Sequence, residues 1–320
     1  MIESSAALHD SAVLVTGGAG FIGSHLVDAL FDAGARRVVV IDDLRTGRWD
    51  NISNDERITR ITADFAAMSE DDVAGSLKGI DYLFHLAAEK HNNSIDAPGR
   101  VLEVNVNGTF RLFRAAVAAR VKKVIFTSSL YANGRMSLPP MREDDAPVPT
   151  TIYGISKLAG EHLLRHFGGN AGLRWTAFRL FFTYGPKQFA GSGYKSVIVT
   201  NFDRILRNES PVIFGDGEQA LDYIHVSDVA AALLAGTSPR ADGEVFNVGS
   251  GSAVSVNRLT DAMLLVARSS LRPVSAAADW TAGTYRVCDN EKIRERLGWE
   301  PSVSLLEGLA SVYDWMKTGR

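Results

Sequence analysis

The stretch Val13-Leu14-Val15-Thr16-Gly17-Gly18-Ala19-Gly20-Phe21-Ile22-Gly23 constrains the chain more than any other. A short apolar run stops at a glycine cluster, and Phe21, Leu26, Val27 and Leu30 follow at helical spacing. The pattern reads as strand, tight turn and helix start. In such a unit Gly17 permits the turn, Gly20 lets backbone approach a diphosphate, and Gly23 lets the helix pack close to its strand. The helix N-terminus then offers unpaired N–H groups to the anion. A second apolar run, 38–41, ends at Asp42. That acid falls about 20 residues on, where the second strand of such a unit sets a carboxylate on a ribose diol.

The rest of the chain alternates in the same way. Strand-like runs are expected at 12–16, 38–41, 57–62, 82–86, 123–127 and 175–181, with helical patterns at 23–33, 100–119 and 153–166. Strands alternating with helices predict a parallel sheet covered on both faces. The pattern changes near Thr183-Tyr184-Gly185-Pro186. Beyond it, a helix is expected around 196–207 and turns at Gly215-Asp216-Gly217. The runs 222–226 and 244–248 are expected to return to the main sheet or its edge, and Ser227 to cap a helix over 228–235. Further helical patterns cover 256–268 and 305–316. The expected fold is a doubly wound α/β protein: a parallel Rossmann-type sheet (1–181 and 222–248) with a smaller, discontinuous C-terminal substrate lobe (182–221 and 249–320).

Composition narrows the function classes. A net charge of −3 weighs against a cationic nucleic-acid surface. Cys288 is the only cysteine, which excludes an internal disulfide and a cysteine-rich zinc site. His85 and His91 lack metal-ligand spacing, so no metal is expected. No apolar run is long enough to span a bilayer, and a soluble, cytoplasmic protein is expected.

The chemistry-bearing stretch is Tyr153-Gly154-Ile155-Ser156-Lys157. On a helix, residues four apart share a face, so the phenol and the ammonium can act together. A tyrosine with a pKa of about 10 is a poor base at neutral pH, and a neighbouring cation favours its phenolate. Upstream, a strand ends in Phe126-Thr127-Ser128-Ser129, whose last hydroxyl can hold the same substrate oxygen.

With these motifs in register, the chain resembles the extended short-chain dehydrogenase/reductase family, in its NAD-dependent sugar epimerase/dehydratase branch. Thr16 to Gly23, Asp42-Asp43-Leu44, His85-Leu86-Ala87-Ala88, Asn105-Val106-Asn107-Gly108-Thr109, Tyr153 to Lys157 and Asp222 to Val226 carry the resemblance. It implies NAD as cofactor, with Phe21 and Ile22 near the pyrophosphate, Asp42 at the adenosine ribose, and Asp43 and Leu44 also among the cofactor-binding residues. Asp64 and Phe65 would flank adenine. Leu86, Ala87, Ala88, Lys90 and Asn105 would line the cofactor channel, and Phe181 would sit beside the nicotinamide. Ser129, Tyr153 and Lys157 would be catalytic, and Lys157 would also anchor the ribose. Asp42 favours NAD over NADP because its charge repels a 2′-phosphate, although Arg45 nearby could accept one. A homodimer built on 100–119 and 153–166 is a further implication.

Departures from the family pattern narrow the reaction. Related dehydratases carry an acidic pair after the strand-end hydroxyl, and decarboxylases a glutamate; here Leu130 and Tyr131 stand there. What remains is alcohol–ketone interconversion by hydride transfer, giving epimerisation of a sugar, nucleotide-linked in most relatives. The alternatives are a dehydrogenase or ketoreductase of a smaller polyol and, from another class, a non-catalytic NAD-binding regulator. Phe182 replaces an expected asparagine, Leu221 an expected arginine, and no arginine precedes Asp279-Trp280-Thr281-Ala282-Gly283. Lys195, Lys90 and Arg286 are the remaining cations for a diphosphate or carboxylate, and UDP-glucose is expected to bind weakly in the usual pose.

Overall fold

Period-two alternation decides which side chains meet on each face of the central sheet. The computed structural model describes residues 7–134, 139–188, 196–279 and 281–318. Among them the chain lays down β1 (Ala12–Thr16), β2 (Arg37–Asp42), β3 (Ile58–Thr62), β4 (Tyr82–His85), β5 (Lys123–Ser129) and β6 (Trp175–Leu180). The later strands are β7 (Phe182–Tyr184), β8 (Val212–Phe214), β9 (Ala220–His225), β10 (Glu244–Val248), β11 (Ala253–Ser255), β12 (Val274–Ala276) and β13 (Tyr285–Arg286). Four helices matter most: α1 (Phe21–Asp32), α2 (Thr109–Ala118), α3 (Ile152–Ala171) and α4 (Val226–Ala235).

Seven strands form one sheet in the order β10-β6-β5-β4-β1-β2-β3, every pairing parallel. Val13, Val15, Val38 and Val40 pack on Leu26, Val27 and Leu30 of α1 and on Val229, Ala232 and Leu233 of α4. Leu14, Val39 and Ile41, one residue out of phase, pack on Leu112, Phe113 and Ala116 of α2 and on Leu164 and Phe167 of α3. Each such side chain contributes about 1.5–3 kcal/mol by leaving water. The strand order reverses beside β1, whose neighbours are β2 and β4. A crevice at the carboxyl ends of the strands is the expected consequence.

Three sequence expectations change. The helix expected over 100–119 is broken into Pro98–Leu102, a π-helical turn Glu103–Gly108, and α2. At Gly108 a Cβ would lie 2.7 Å from that of Ala66, so the widened turn passes close against the neighbouring segment. The run at 222–226 does not rejoin the main sheet. Its strand, β9, pairs with β7, β11 and β13 in a second sheet over a core of Tyr184, Ile198, Phe202, Leu221, Tyr223 and Leu259. A half-buried apolar strand reads alike whichever sheet it joins, whereas β10 does take the main-sheet edge. Finally, α4 begins at Val226, and His225 rather than Ser227 is its N-cap, accepting from the Ser227 backbone. The His225 ring also meets the hydroxyls of Ser227 and Ser311, a structural role. No helix among the described residues is long and apolar enough to cross a membrane.

Candidate active site

The carboxyl ends of β1, β2, β4 and β5 deliver the sequence-predicted groups to one crevice. Gly17 has φ +74°, and a Cβ there would meet the Ala87 nitrogen at 2.8 Å. A Cβ on Gly23 would lie 2.1 Å from the Gly17 carbonyl oxygen, so helix and turn touch through backbone. Gly20 differs: its Cβ position meets only that carbonyl, at 3.2 Å, and otherwise faces open space. Helix α1 starts there without a side-chain cap and without an acid in its first turn. The N–H groups of Phe21, Ile22 and Gly23 are therefore available to an anion, which fits a diphosphate.

Asp42 ends β2 with its carboxylate accepting from Ala19 N at 3.0 Å and Leu44 N at 2.9 Å. Burial raises its pKa above the ordinary value, and these backbone donors oppose the rise. Arg45 pairs with two carboxylates, Asp43 at 2.6 Å and buried Glu89 at 2.5 Å. Leu86 and Ala87 donate backbone N–H groups to the Thr16 carbonyl, and Ala88 and Lys90 follow on the same segment.

Several of the sequence-predicted cofactor residues also bond within the scaffold. Asp64 pairs with Arg100. The Phe65 ring turns into the core, edge-on to His85 at 5.0 Å. Asn105 is buried, takes the Glu89 N–H at 2.8 Å and donates to the Glu89 carbonyl and the Ser156 hydroxyl. Its amide thereby ties the segment after β4 to α3. His85 is held between the hydroxyls of Thr16 and Thr109, and burial pushes its pKa down to about 3. Phe181 is buried with Leu130, Met141 and Cys288, and Phe182 packs beside Tyr223. Leu221 lies in the lobe's apolar core. Lys195 and Trp280 lie outside the described residues.

Thr151 caps α3 through Gly154 N and so fixes where the helix starts. Tyr153 and Lys157 consequently sit one turn apart above the end of β5. The Lys157 ammonium lies 5.8 Å from the centre of the Tyr153 ring and donates to the Thr127 carbonyl at 2.8 Å. Ser129 ends β5, caps the short helix Leu130–Asn133, and hydrogen-bonds the Tyr153 hydroxyl. Burial dominates both titrating groups: Tyr153 is pushed up to about 12 and Lys157 down to about 7. The sequence argument alone put the phenol on the other side of its ordinary value. A protonated Lys157, 5.8 Å from the centre of the Tyr153 ring, opposes that rise, and further positive charge beside the phenol would lower its pKa again.

Behind these groups runs a buried network that the sequence did not disclose. Glu161, one turn beyond Lys157, pairs with Arg179 of β6 at 2.8 Å and accepts from Ser128 at 2.5 Å. Arg179 also reaches the side chain of Asn133 and the carbonyl of Glu143. The network locks β5, β6, α3 and the turn after Ser129 together. In front of them His91 stacks on Tyr131 with ring centres 4.4 Å apart, and Tyr131 lies 6.0 Å from Tyr153.

Two outcomes follow from this geometry. Gly23→Ala forces two backbone segments apart and lowers stability by about 1–3 kcal/mol, whereas Gly20→Ala leaves the melting temperature near wild type yet weakens NAD binding. Thermal melts paired with NAD titration check the split; equal effects at both positions would contradict it. Lys157 titrates near 7 when folded, against 10.5 in the unfolded chain. Across that window the unfolded chain binds the extra proton, so the lysine's contribution to stability rises with pH and is least below pH 7. Urea unfolding of cofactor-free wild type and Lys157→Met at pH 7 and 9 checks the sign. The difference should move toward wild type by about 2 kcal/mol at the higher pH, and a constant difference would contradict the assignment.

Comparison with known proteins gives the same reading. A model of the NAD dependent epimerase/dehydratase family matches residues 13–249. The UDP-glucose 4-epimerase of Mycolicibacterium smegmatis is 34% identical over 310 residues, covering 95% of this chain and 98% of that protein. The UDP-N-acetylglucosamine 4-epimerase of Methanobrevibacter ruminantium, solved with UDP-N-acetylmuramic acid, superposes with a TM-score of 0.92 at 33% identity, over 98% of this chain and 100% of that one. The UDP-glucuronic acid 4-epimerase of Bacillus cereus, solved with UDP-glucuronic acid and NAD, gives 0.86 at 28% identity over 97% and 100%. The chain belongs to the NAD-dependent epimerase/dehydratase family of extended short-chain dehydrogenases/reductases, and its cofactor is NAD.

Proposed function

We propose that this family member inverts C4 of a nucleotide-linked sugar by transient oxidation at that carbon. The observation that carries the reading is the convergence of Ser129, Tyr153 and Lys157 at the end of β5 with no acid at positions 130 and 131. Bound NAD would supply the hydride acceptor and donor and, when oxidised, positive charge that favours the Tyr153 phenolate. Tyr153 Oη takes the proton of the sugar hydroxyl and later returns it. Ser129 Oγ, already bonded to the phenol, holds the same sugar oxygen. Lys157 Nζ, fixed by Thr127, stabilises the phenolate in a site from which burial excludes most water. Leu130 and Tyr131 offer no carboxylate to remove a neighbouring proton, so the keto sugar is reduced again rather than dehydrated.

Phe21, Ile22 and Gly23 would hold the diphosphate of NAD, Asp42 its ribose, and Lys157 the second ribose. The lobe at 182–221 and 249–320 would close over the substrate. The exposed apolar residues Leu102, Phe110 and Ile155 lie on segments that meet along one side of the molecule, which supports a homodimer packed through them. A cytoplasmic location accords with a cofactor drawn from the cell's NAD pool.

Tyr153→Phe is expected to lower turnover of UDP-sugars by about 10²–10⁴-fold while NAD stays bound and the melting temperature holds. Near-wild-type turnover would place the base elsewhere. For Asp42, NAD should bind more tightly than NADP, and Asp42→Ala should narrow the gap. Fluorescence titration with both reduced cofactors measures it, and equal wild-type affinities would overturn the role given to Asp42.

A further inference from the structure

Among the described residues, one cation beside the Tyr131–Tyr153 pair has no carboxylate partner. Arg286 lies in β13, in register with Ala220 and Leu221 of β9, so its strand neighbours offer no charge. Its guanidinium donates to the Gly134 carbonyl at 2.9 Å and lies over the Tyr131 ring, 5.7 Å from its centre. Tyr131 in turn stacks on His91 and stands edge-on to Tyr153. Among the described residues no carboxylate bonds to Arg286, although the side chain is half-buried. Burial pulls its pKa below the usual arginine value, with only the Tyr131 phenol opposing. The same positive charge helps hold the His91 imidazole in its neutral form.

Arginines elsewhere in this protein show the contrast. Arg179 is buried and has Glu161; Arg45 and Arg100 share Glu89; Arg57 has Asp55. A guanidinium presents five donors in a planar fork suited to two oxygens of one anion. Arg286 spends one nitrogen on Gly134 and lies over the Tyr131 ring, which leaves donors of its fork without a carboxylate among the described residues. Through Tyr131 it neighbours Tyr153, whose ring centre is 6.0 Å from that of Tyr131.

We propose that Arg286 is a specificity-determining residue that pairs with an anionic oxygen group of the substrate, a carboxylate on the sugar or a phosphate of its carrier. Resting on the epimerase reading for the location of the substrate, it deepens that reading by assigning the charge of what binds there. Tyr131 sets the guanidinium plane, and the Gly134 carbonyl fixes its rotation. Neutral sugars without a phosphorylated carrier would leave this cation unpaired and would bind poorly.

Calorimetry on NAD-loaded protein tests the assignment with UDP, UDP-glucose and UDP-glucuronate against wild type, Arg286→Gln and Arg286→Ala. Glutamine keeps a donor for Gly134 and removes the charge, so it separates anion recognition from a structural role. If a phosphate is the partner, Arg286→Gln weakens all three ligands by about 10–100-fold. If a sugar carboxylate is the partner, wild type prefers UDP-glucuronate to UDP-glucose and Arg286→Gln erases that preference alone. Equal binding to wild type and Arg286→Gln, or no binding of any of the three to wild type, overturns the proposal. Binding is read without turnover, so anion recognition through Arg286 in an enzyme that instead releases a ketone would refute only the epimerase reading.

Discussion

The burial of Lys157 is the constraint on which the site depends. A lysine ammonium with one carbonyl partner and an aromatic ring on either side is held near neutrality, far below its usual pKa. The same burial pushes the neighbouring phenol up. Burial thus disfavours the charged forms of both groups, and on the reading proposed above positive charge from the cofactor would make them a working acid–base pair. On that reading the coupling of the base to the oxidised cofactor is electrostatic.

The fold supplies the geometry that makes this coupling specific. Parallel strands bring the turn after β1, the acid at the end of β2, the segment after β4 and the serines of β5 to one edge. Helix α3 then lays Tyr153 and Lys157 across the last of these. The Glu161–Arg179 pair beneath them is fully buried and shared with Ser128 and Asn133. Loss of one member of such a pair is far costlier than loss of a surface ion pair. It acts at a distance from the reacting atoms, by keeping Ser129 and Tyr153 in register.

Much of this was legible in the sequence because it is written in local pattern. Alternating valines, the glycine spacing and the strand-end acid each report on neighbours a few residues away, and Gly17 and Gly23 make the tight turn and close packing expected of them. Other features depend on what the chain packs against. The strand holding Asp222 would look the same in either sheet, and the structure places it in the second. The bonds of the Asn105 amide to Glu89 and Ser156 could not be read from the sequence. The proton state of Tyr153 could not be seen, since a helical spacing of four gives the lysine's proximity but not the depth of burial. Arg286 and Tyr131 were visible as residue types, one as a cation and the other as a missing acid. Only the tertiary structure sets one upon the other.

The central claim is that the hydride leaves and returns to the same carbon while the cofactor stays in place. UDP-glucose, UDP-N-acetylglucosamine and UDP-glucuronate carrying deuterium at C4, incubated with NAD-loaded protein, test it most directly. The account predicts that whichever sugar turns over yields its C4 epimer with deuterium retained at that carbon and no accumulation of NADH. Deuterium lost to water, or NADH formed in step with a ketone product, would contradict it.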